Sequence, residues 1–409
     1  MKKSKFDVVI IGGGPAGMAA AIEIKKNGLK PVIIERESKL GGILKQCIHS
    51  GFGTHYFGEE LTGTEYAYNF VKMTREAGVD VLLESFVISV SANLVVVKNK
   101  QGIINIECKA VVLAMGCRER TGGAIGLTGE RPSGVWTAGQ VQKWINIYGV
   151  VPCKKPVILG SGDIGLIMAR RLTLEGSKPS MVLEIQKTTA GLKRNIVQCL
   201  DDYNIPLYLE TTVVEVVGYP TIKGVYIAKV DEDKKTIENT KKFISCDGLV
   251  LSVGLIPDRE LVSGAEINKL TNSFVVNEFR ETSIKNIFAC GNVLHVHDLV
   301  DFVTEESILV GQNVSKSILG QLTRGKKYNV LPGDGIRYTV PNSYFSSSGG
   351  EVKFLFRVTR EFKDSKLVVR QGDNVIYERP FGNCNAGQME YVTISKKLLK
   401  GDIVISMED

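Results

Sequence analysis

The sequence predicts an α/β protein that contains two copies of one strand–glycine loop–helix–strand unit and ends in a small all-β domain. Glycines at positions 12, 14, 17 and 28 recur at 160, 162, 165 and 176, a constant offset of 148 residues. Each set follows a short apolar run and precedes a helical stretch, and an acidic residue closes each unit, at Glu35 and at Glu184. Beyond residue 330 the pattern changes to short alternating segments, which are typical of β strands.

In the first half of the chain, the pattern predicts an apolar strand at residues 6–11, a helix that runs to Asn27 and a second strand at residues 31–34. Residues 81–97 have strand character, and residues 110–114 read as a buried strand.

The second half repeats this order and then departs from it. A strand at 156–159 precedes a helix to Glu175 and a strand that ends at Glu184. Further strands are predicted near 206–217, 222–230, 249–253 and 287–291, and a helix from about 300 to 319. The turn-rich residues 331–335 predict a linker, and residues 332–409 predict a small all-β domain, a sandwich without a catalytic motif.

Composition excludes several classes of protein. The 51 basic and 44 acidic residues give a net charge of +7, which is too small and too dispersed for nucleic-acid binding. None of the eight cysteines forms a Cys-x-x-Cys pair, which disfavours a structural zinc site or an iron–sulphur cluster and fits a reducing, cytoplasmic compartment. The chain has no apolar run of about 18 residues, so no membrane span is expected. The apolar N-terminus contains consecutive glycines that a signal peptide does not need.

The glycine spacing has a chemical meaning in each copy. The first glycine permits a tight turn, the second lets the backbone approach a pyrophosphate, and the third lets helix and strand pack closely. The helix N-terminus offers unpaired N–H groups to the anion, and the closing carboxylate can accept hydrogen bonds from a ribose diol. The sequence therefore predicts two Rossmann-like dinucleotide-binding domains. Two dinucleotides in one chain suggest a nicotinamide and a flavin that exchange a hydride.

Four motifs resemble the two-dinucleotide-binding-domain flavoproteins of the pyridine nucleotide–disulphide oxidoreductase superfamily. They are the unit at 12–35, the strand end at 112–116, the unit at 160–184 with 251–257, and the segment 282–292. The resemblance implies an FAD-binding domain at 1–120 and 255–330, with an NAD-binding domain at 121–254 inserted in it and a β domain at 331–409. In the family the fourth motif ends in an Asp that binds the FAD ribityl chain, whereas this chain has Asn292 there.

The resemblance and the glycine chemistry together predict FAD and NAD as cofactors, and they name the residues that contact them. We predict no metal site. The predicted cofactor-binding residues are Gly12, Gly14, Pro15, Ala16, Gly17, Glu35, Arg36, Gly42, Ala114, Gly116, Gly160, Gly162, Asp163, Ile164, Gly165, Glu184, Gly254, Gly291 and Asn292.

Longer stretches at 41–53, 160–175 and 290–301 resemble a narrower subgroup of that superfamily. Its members are commonly paired with a glycerol-3-phosphate dehydrogenase-like subunit, and they are similar to flavoprotein subunits of multi-subunit amine and opine dehydrogenases. The resemblance implies an electron-transfer flavoprotein subunit with a dehydrogenase partner, and a small iron–sulphur or Cys-rich protein is a further candidate partner. Three roles are open for the β domain: a docking module, with 353–358 or 366–370 as edge strands, a cover for the chain's own surface, or a homodimer contact.

The cysteine pattern bears on where electrons leave the flavin. Disulphide reductases need two neighbouring cysteines, but Cys47 has no second cysteine nearby and Cys153 stands alone. A dithiol reductase is therefore disfavoured. Cys47 has two open interpretations, a single redox cysteine as in oxidase- or peroxidase-type members, and a packing residue.

All four histidines fall in two segments that the resemblance places near the flavin. We name His49, His295 and His297, with Cys47, as candidate catalytic residues, and His55 lies close to His49. If the two segments meet, the imidazoles would line one cavity with Asp298, Asp301 and Glu305. Three interpretations are open: proton handling at the flavin, a metal site, and structural contact.

Three functions follow from these readings. The first is an electron-transfer flavoprotein subunit that exchanges hydride between NAD(H) and FAD. The second is a self-contained NAD(P)H oxidase or peroxidase that uses the flavin and Cys47. The third is a non-catalytic nucleotide-binding scaffold, which a protein purified without flavin colour would favour.

Overall fold

The computed structural model describes residues 2–346 and 349–408, so the terminal residues of the predicted domains, Met1 and Asp409, lie outside it. The chain divides into two compact units. The first comprises residues 1–117 and 257–409, and the second comprises residues 118–256.

The described residues contain six α helices and 31 strands. The helices are α1 Pro15–Lys26, α2 Gly63–Glu76, α3 Ala138–Tyr148, α4 Asp163–Leu174, α5 Lys193–Cys199 and α6 Val300–Ile318. Strands β1 to β11 are Lys2–Lys5, Val8–Ile11, Pro31–Ile34, Ser50–Phe52, Leu61–Thr62, Asp80–Leu82, Phe86–Val90, Leu94–Asn99, Gly102–Glu107, Ala110–Leu113 and Cys117–Glu119. Strands β12 to β20 are Val135–Thr137, Pro156–Leu159, Met181–Leu183, Leu207–Tyr208, Thr211–Val217, Gly224–Lys229, Lys242–Ser245, Gly248–Leu251 and Leu255–Pro257. Strands β21 to β31 are Ile267–Asn268, Ser273–Phe274, Ile287–Ala289, Lys327–Pro332, Ile336–Val340, Ser343–Phe345, Glu351–Val358, Ser365–Gln371, Asn374–Phe381, Met389–Ser395 and Ile403–Glu408.

A parallel five-stranded sheet forms the centre of the first unit, in the order β23-β10-β2-β3-β6. Its strands are continuous apolar runs because both faces of the sheet are buried. Helices α1, α2 and α6 cover one face. The register pairs Leu113 with both Ile11 and Ala289, so the residues that follow these three strands meet at one edge of the sheet.

The second unit repeats this arrangement with the parallel order β12-β19-β13-β14-β15. Strand β13 takes the place of β2, and β19 takes the place of β10. Leu159 pairs with both Leu251 and Leu183, which brings the ends of three strands together as in the first unit. The predicted α/β class with two Rossmann-like sheets is confirmed.

The C-terminal β domain consists of two sheets that share one core. One sheet has the order β26-β24-β31-β28-β29 and the other the order β25-β27-β30. Phe354 and Phe356 of the smaller sheet pack with Leu367 and Ile403 of the larger one, which makes a sandwich as predicted.

Two expectations about this domain differ from the structure. Its first strand β24 begins at Lys327, before the predicted boundary at 331, because the turn at Gly333 lies between two strands of the domain and is not a linker. The segments proposed as edge strands are internal: β27 lies between β25 and β30, and β28 lies between β31 and β29. Alternation of apolar and polar residues predicts that a segment is a strand, but it does not set the order of strands in a sheet.

Candidate functional site

The first glycine loop lies at the carboxyl edge of the first parallel sheet, where ligands of such sheets bind. Gly12 follows β2, Ala114 follows β10, and Gly291 comes shortly after β23. A Cβ atom added to Gly12 would lie 2.4 Å from the Ala114 carbonyl oxygen, so these two strand ends are in close contact. A Cβ atom on Gly291 would lie 3.0 Å from Cβ of Ala16 in the first turn of α1.

The three glycines of this loop are required for different reasons. Gly12 has a φ of +107°, and a Cβ atom on Gly17 would lie 1.9 Å from the Gly12 carbonyl oxygen, so the fold itself demands glycine at both positions. Gly14 has an ordinary extended backbone, and the nearest heavy atom to a Cβ there is Cα of Gly42 at 3.8 Å. The protein does not need glycine at 14. The open space before the N-terminus of α1 therefore fits a pyrophosphate that approaches the backbone.

Glu35 is buried at the end of β3 and orders the loop. Its Oε2 accepts a hydrogen bond from the Gly13 N–H at 2.7 Å, and its Oε1 accepts one from the Glu37 N–H at 2.8 Å. A carboxylate has about four acceptor positions, so two remain for a ribose diol. The neighbouring Arg36, also predicted to contact the cofactor, has an exposed side chain.

The second unit reproduces the same division of roles among its glycines. A Cβ atom on Gly160 would lie 2.0 Å from the Ser252 carbonyl oxygen, and one on Gly165 would lie 2.7 Å from the Gly160 carbonyl oxygen. The nearest atom to a Cβ on Gly162 is Oγ of Ser252 at 3.6 Å, an ordinary contact. The second glycine is again the one that the protein does not require, so a second pyrophosphate fits here.

Glu184 occupies the position of Glu35, although the sequence offset between them is one residue larger than that of the glycines. Its Oε2 accepts hydrogen bonds from the Ser161 N–H at 3.0 Å and the Ser161 hydroxyl at 2.6 Å. Its Oε1 accepts one from the Gln186 N–H at 2.9 Å. The Asp163 carboxylate is engaged elsewhere, accepting from the Leu192 N–H and the Asn195 side chain.

Asn292 is the last residue of the fourth motif and is hydrogen-bonded to the segment that follows it. Its Oδ1 accepts a hydrogen bond from the His297 N–H at 3.0 Å. The amide retains a second lone pair on Oδ1 and two N–H groups for other contacts. An Asp at this position could make the same bond to His297 but could not donate.

A buried network of charged and imidazole groups surrounds Glu306 of α6. His295 Nε2 and His297 Nε2 each lie 3.1 Å from one of its oxygens. The Arg280 Nε–H donates to Oε1 at 2.9 Å and the Gly291 N–H to Oε2 at 3.0 Å. The Glu306 carboxylate therefore connects the backbone at Gly291, next to Asn292, to both histidines.

The protonation of this network follows from its burial. Burial lowers the pKa of His295 to about 4, against the opposing effect of Glu306. Burial acts to raise the pKa of Glu306, but the electrostatic effects of His295 and His297, and then the hydrogen bonds with them, hold that pKa well below its usual range. A neutral His295 that donates from Nε2 leaves its Nδ1 as an acceptor, and the Nδ1 atoms of both histidines have no partner among the described residues.

The same three groups raise the question of a metal. The ligand atoms of His295, His297 and Glu306 lie within 4.8 Å of one another. The guanidinium of Arg280 already neutralises this carboxylate, and a cation beside it would be repelled. We assign no metal to the network.

Glu306 and Arg280 were not among the residues singled out by the sequence, which named Asp298, Asp301 and Glu305. A signal was present: Glu306 lies three residues after Val303 and four before Val310, on the buried face of α6. A charged residue on an apolar helix face needs a buried partner.

The structure gives the four histidines different partners. The His295 and His297 rings contact each other, with centroids 4.2 Å apart. His49 contacts Phe52, and His55 stacks on Phe302.

The three acidic residues named with them are also separately engaged. Asp301 accepts from the Gly53 and Tyr56 N–H groups, Asp298 pairs with Arg357, and Glu305 pairs with Lys353. A single cavity shared by all seven groups stays a prediction.

Cys47 is buried below the N-terminus of α2. A Cβ atom on Gly63 would lie 2.6 Å from Cβ of Cys47, and the thiol donates weakly to the Ile43 carbonyl oxygen at 3.5 Å. Burial raises the pKa of Cys47 to about 12. The reactive form of cysteine is the thiolate, so this environment favours the packing role.

We expect the neutral His295 to make stability depend on pH. Its folded pKa of about 4 lies below the unfolded value near 6.5, so its contribution is complete above pH 6.5 and is lost as the pH falls towards 4. Replacing His295 with Gln should reduce the loss of urea resistance between pH 7 and pH 5. The exposed His55→Gln variant should behave as wild type, and an identical pH dependence in all three proteins would contradict the assignment.

No helix among the described residues is long and apolar enough to cross a membrane.

Two parallel sheets, each with a glycine loop at its carboxyl edge and a buried carboxylate bonded to that loop, are the arrangement of a protein that binds two dinucleotides. The chain belongs to the pyridine nucleotide-disulphide oxidoreductase family, whose model matches residues 6–317. The family consists of FAD- and NAD(P)-dependent oxidoreductases. The C-terminal β domain lies almost entirely beyond the matched residues.

Individual relatives are distant. A hydrogen cyanide synthase subunit, HcnB of Pseudomonas protegens, is 26% identical over 336 residues, which cover 76% of this chain and 70% of the relative. A CoA-dependent NAD(P)H sulfur oxidoreductase of Pyrococcus abyssi is 26% identical over 73% of this chain and 65% of its own length. The alignments thus span about two thirds of these relatives. The thioredoxin reductase structure of T. acidophilum has the same fold, with a TM-score of 0.63 at 20% identity over 77% of this chain and 99% of that one.

Proposed function

We propose that this chain is a flavoprotein subunit that exchanges hydride between NAD(H) and FAD and passes electrons to or from a partner dehydrogenase subunit. The observation that carries the proposal is the paired geometry of the two glycine loops, in which an added Cβ meets close contacts at the first and third glycines but not at the middle ones, Gly14 and Gly162. We assign FAD to the loop of the first unit and the nicotinamide dinucleotide to that of the second.

In this proposal the residues of the chain bind the two dinucleotides and orient them. The flavin, when bound, supplies the hydride acceptor, and the nicotinamide supplies the donor. The N–H groups at the starts of α1 and α4 hold the two pyrophosphates, and Glu35 and Glu184 accept from ribose hydroxyls. Asn292, fixed by His297, contacts the flavin side chain.

The partner is inferred from the groups in this chain that could accept electrons from the flavin. The sequence has no second cysteine near Cys47, and burial raises the pKa of the Cys47 thiol, which disfavours a dithiol relay. One relative is itself named a subunit, which supports a multi-subunit assembly for this chain as well. We propose a glycerol-3-phosphate dehydrogenase-like or other dehydrogenase subunit as the partner, with a small iron–sulphur or Cys-rich protein as a second one. We also propose a cytoplasmic location, because eight cysteines without a Cys-x-x-Cys spacing fit a reducing compartment.

Purification of the tagged chain from its native cell tests the proposal. We expect a yellow protein with one FAD per chain, which copurifies with a dehydrogenase subunit. The isolated chain should reduce dyes with NADH but should turn over small organic substrates poorly. A monomeric chain that oxidises such a substrate unaided would contradict the subunit role, and a chain that cannot take up FAD would favour the scaffold alternative.

NADH should reduce the bound flavin about fivefold or more faster than NADPH, the ratio that corresponds to about 1 kcal/mol. The buried Glu184 carboxylate would face the 2′-phosphate of NADPH, and apposition of like charges costs about 1 kcal/mol or more. Lys187, the nearby cation, is paired with Glu232 at 2.8 Å. Stopped-flow reduction measures the ratio, and the Glu184→Gln variant should bring it closer to one. Faster reduction by NADPH in the wild type would refute the role of Glu184.

A variant of Cys47 distinguishes the proposed subunit function from the alternative, a stand-alone peroxidase. We expect the Cys47→Ser variant to retain its NADH–dye activity within about twofold, because a thiol with so high a pKa supplies little thiolate at neutral pH. Peroxide-dependent NADH oxidation that is present in the wild type and absent from the variant would instead support the peroxidase.

A further inference from the structure

The C-terminal β domain is joined to the segment after Asn292 by a partly buried ion pair. Arg357 of β27 donates from one terminal nitrogen to Asp298 Oδ1 at 2.5 Å and to the Val296 carbonyl oxygen at 3.1 Å. The second Asp298 oxygen accepts from the Met389 N–H of β30 at 2.6 Å. Arg357 and Met389 are cross-strand partners, so one sheet of the domain binds both oxygens of this carboxylate.

The guanidinium of Arg357 is itself held in place. Its Nε–H donates to the Tyr338 hydroxyl at 3.1 Å, and its other terminal nitrogen donates to the Gly387 carbonyl oxygen. The side chain is 12% exposed. Only arginine has a planar group that donates hydrogen bonds in several fixed directions, so these bonds hold Arg357 and its partners in one relative orientation.

A second set of contacts links the same domain to the other side of the Glu306 network. Lys396 pairs with Glu278 at 2.8 Å, and both side chains are buried. Glu278 also accepts from the Phe345 N–H, and it lies two residues before Arg280, which binds Glu306. The domain therefore contacts the chain on both sides of the buried histidines.

The path from Arg357 to the cofactor residue is short. Arg357 binds residues 296 and 298, and His297 between them donates its backbone N–H to Asn292 and contacts Glu306 through its ring. A shift of this backbone would therefore change both the orientation of Asn292 and the contact to Glu306.

We propose that Arg357 is a positioning residue for the flavin site, so that the β domain completes this site. The inference rests on the proposed FAD site of the first unit. The domain thus has a role inside this chain, whether or not it also contacts a partner.

The test measures binding of FAD to full-length variants by flavin fluorescence, together with the visible spectrum and midpoint potential of the bound flavin. We expect Arg357→Gln to weaken FAD binding about tenfold and to shift the flavin spectrum, while Arg357→Lys restores part of the affinity at most. Arg370→Gln is the matched control, because it breaks a more exposed ion pair with Glu408 in the same domain. It should bind FAD as the wild type does.

A second control separates positioning from general stability. Leu367→Ala removes a core contact in the larger sheet of the β domain, whereas Arg357 and Met389, which bind Asp298, belong to the smaller sheet. It should lower the melting temperature without changing the affinity or the spectrum of FAD below the transition. Equal effects of Leu367→Ala and Arg357→Gln on FAD would overturn the proposal, as would wild-type FAD binding by Arg357→Gln. A wild-type chain that binds no FAD would instead overturn the proposed function, and the role of Arg357 with it.

Discussion

A valine in place of Gly14 should yield a folded protein that has lost its flavin. The backbone at 14 is extended, and the nearest heavy atom to an added Cβ is 3.8 Å away, so the chain accommodates the change. The added methyl groups would occupy the space assigned to the FAD pyrophosphate. We expect the FAD content and affinity to fall about tenfold or more, which corresponds to about 1.4 kcal/mol or more. Absorbance of the purified protein and titration with FAD measure the loss.

Two comparisons make this result interpretable. Gly382→Val places the same side chain at an exposed glycine with no neighbour within 4 Å, and it should leave flavin binding unchanged. Gly17→Ala should misfold, because its Cβ would lie 1.9 Å from the Gly12 carbonyl oxygen. Full flavin absorbance in a well-folded Gly14→Val protein would remove the basis for FAD in the first unit.

The corresponding change in the second unit should leave the flavin bound but disconnect it from NADH. A Cβ on Gly162 meets only ordinary contacts within the protein, the nearest at 3.6 Å from Oγ of Ser252. We expect Gly162→Val to purify yellow, since the first glycine loop is intact. Displacement of the pyrophosphate should lower kcat/KM for NADH about a hundredfold, because misplacing a reactant by about 1 Å has effects of this size.

Chemical reduction of the flavin provides the internal control for this variant. Dithionite needs no nicotinamide site and should reduce Gly162→Val and the wild type alike. The exposed Gly123→Val, in the same unit, should keep normal NADH kinetics. If NADH still reduced Gly162→Val at the wild-type rate, the nicotinamide site would have to lie elsewhere.

The parts of the protein that follow from local patterns could be predicted from the sequence. The glycine spacing and the apolar runs specify two strand–loop–helix–strand units, and the structure contains both, in the matching strand orders β10-β2-β3-β6 and β19-β13-β14-β15. The position of Glu184 could also be predicted from the sequence, because an acidic residue at a strand end is itself part of the local pattern. Local geometry decides these features, since each involves residues that are close in the chain.

Long-range packing alone decided the rest. Glu306 meets Arg280, His295 and His297, and Arg357 meets Asp298, 59 residues away in the chain. The sequence suggested instead that the neighbouring acids Asp298, Asp301 and Glu305 face the histidines, and that the β domain stands apart with exposed edges at β27 and β28. A helix repeats every 3.6 residues, so the adjacent Glu305 and Glu306 point to different surroundings, and the apolar pattern of α6 already marks Glu306 as inward-facing. The partners of a buried charge leave no such pattern, because the requirement to neutralise the charge acts through space, and only the folded chain shows that Glu306 meets Arg280 and the two histidines.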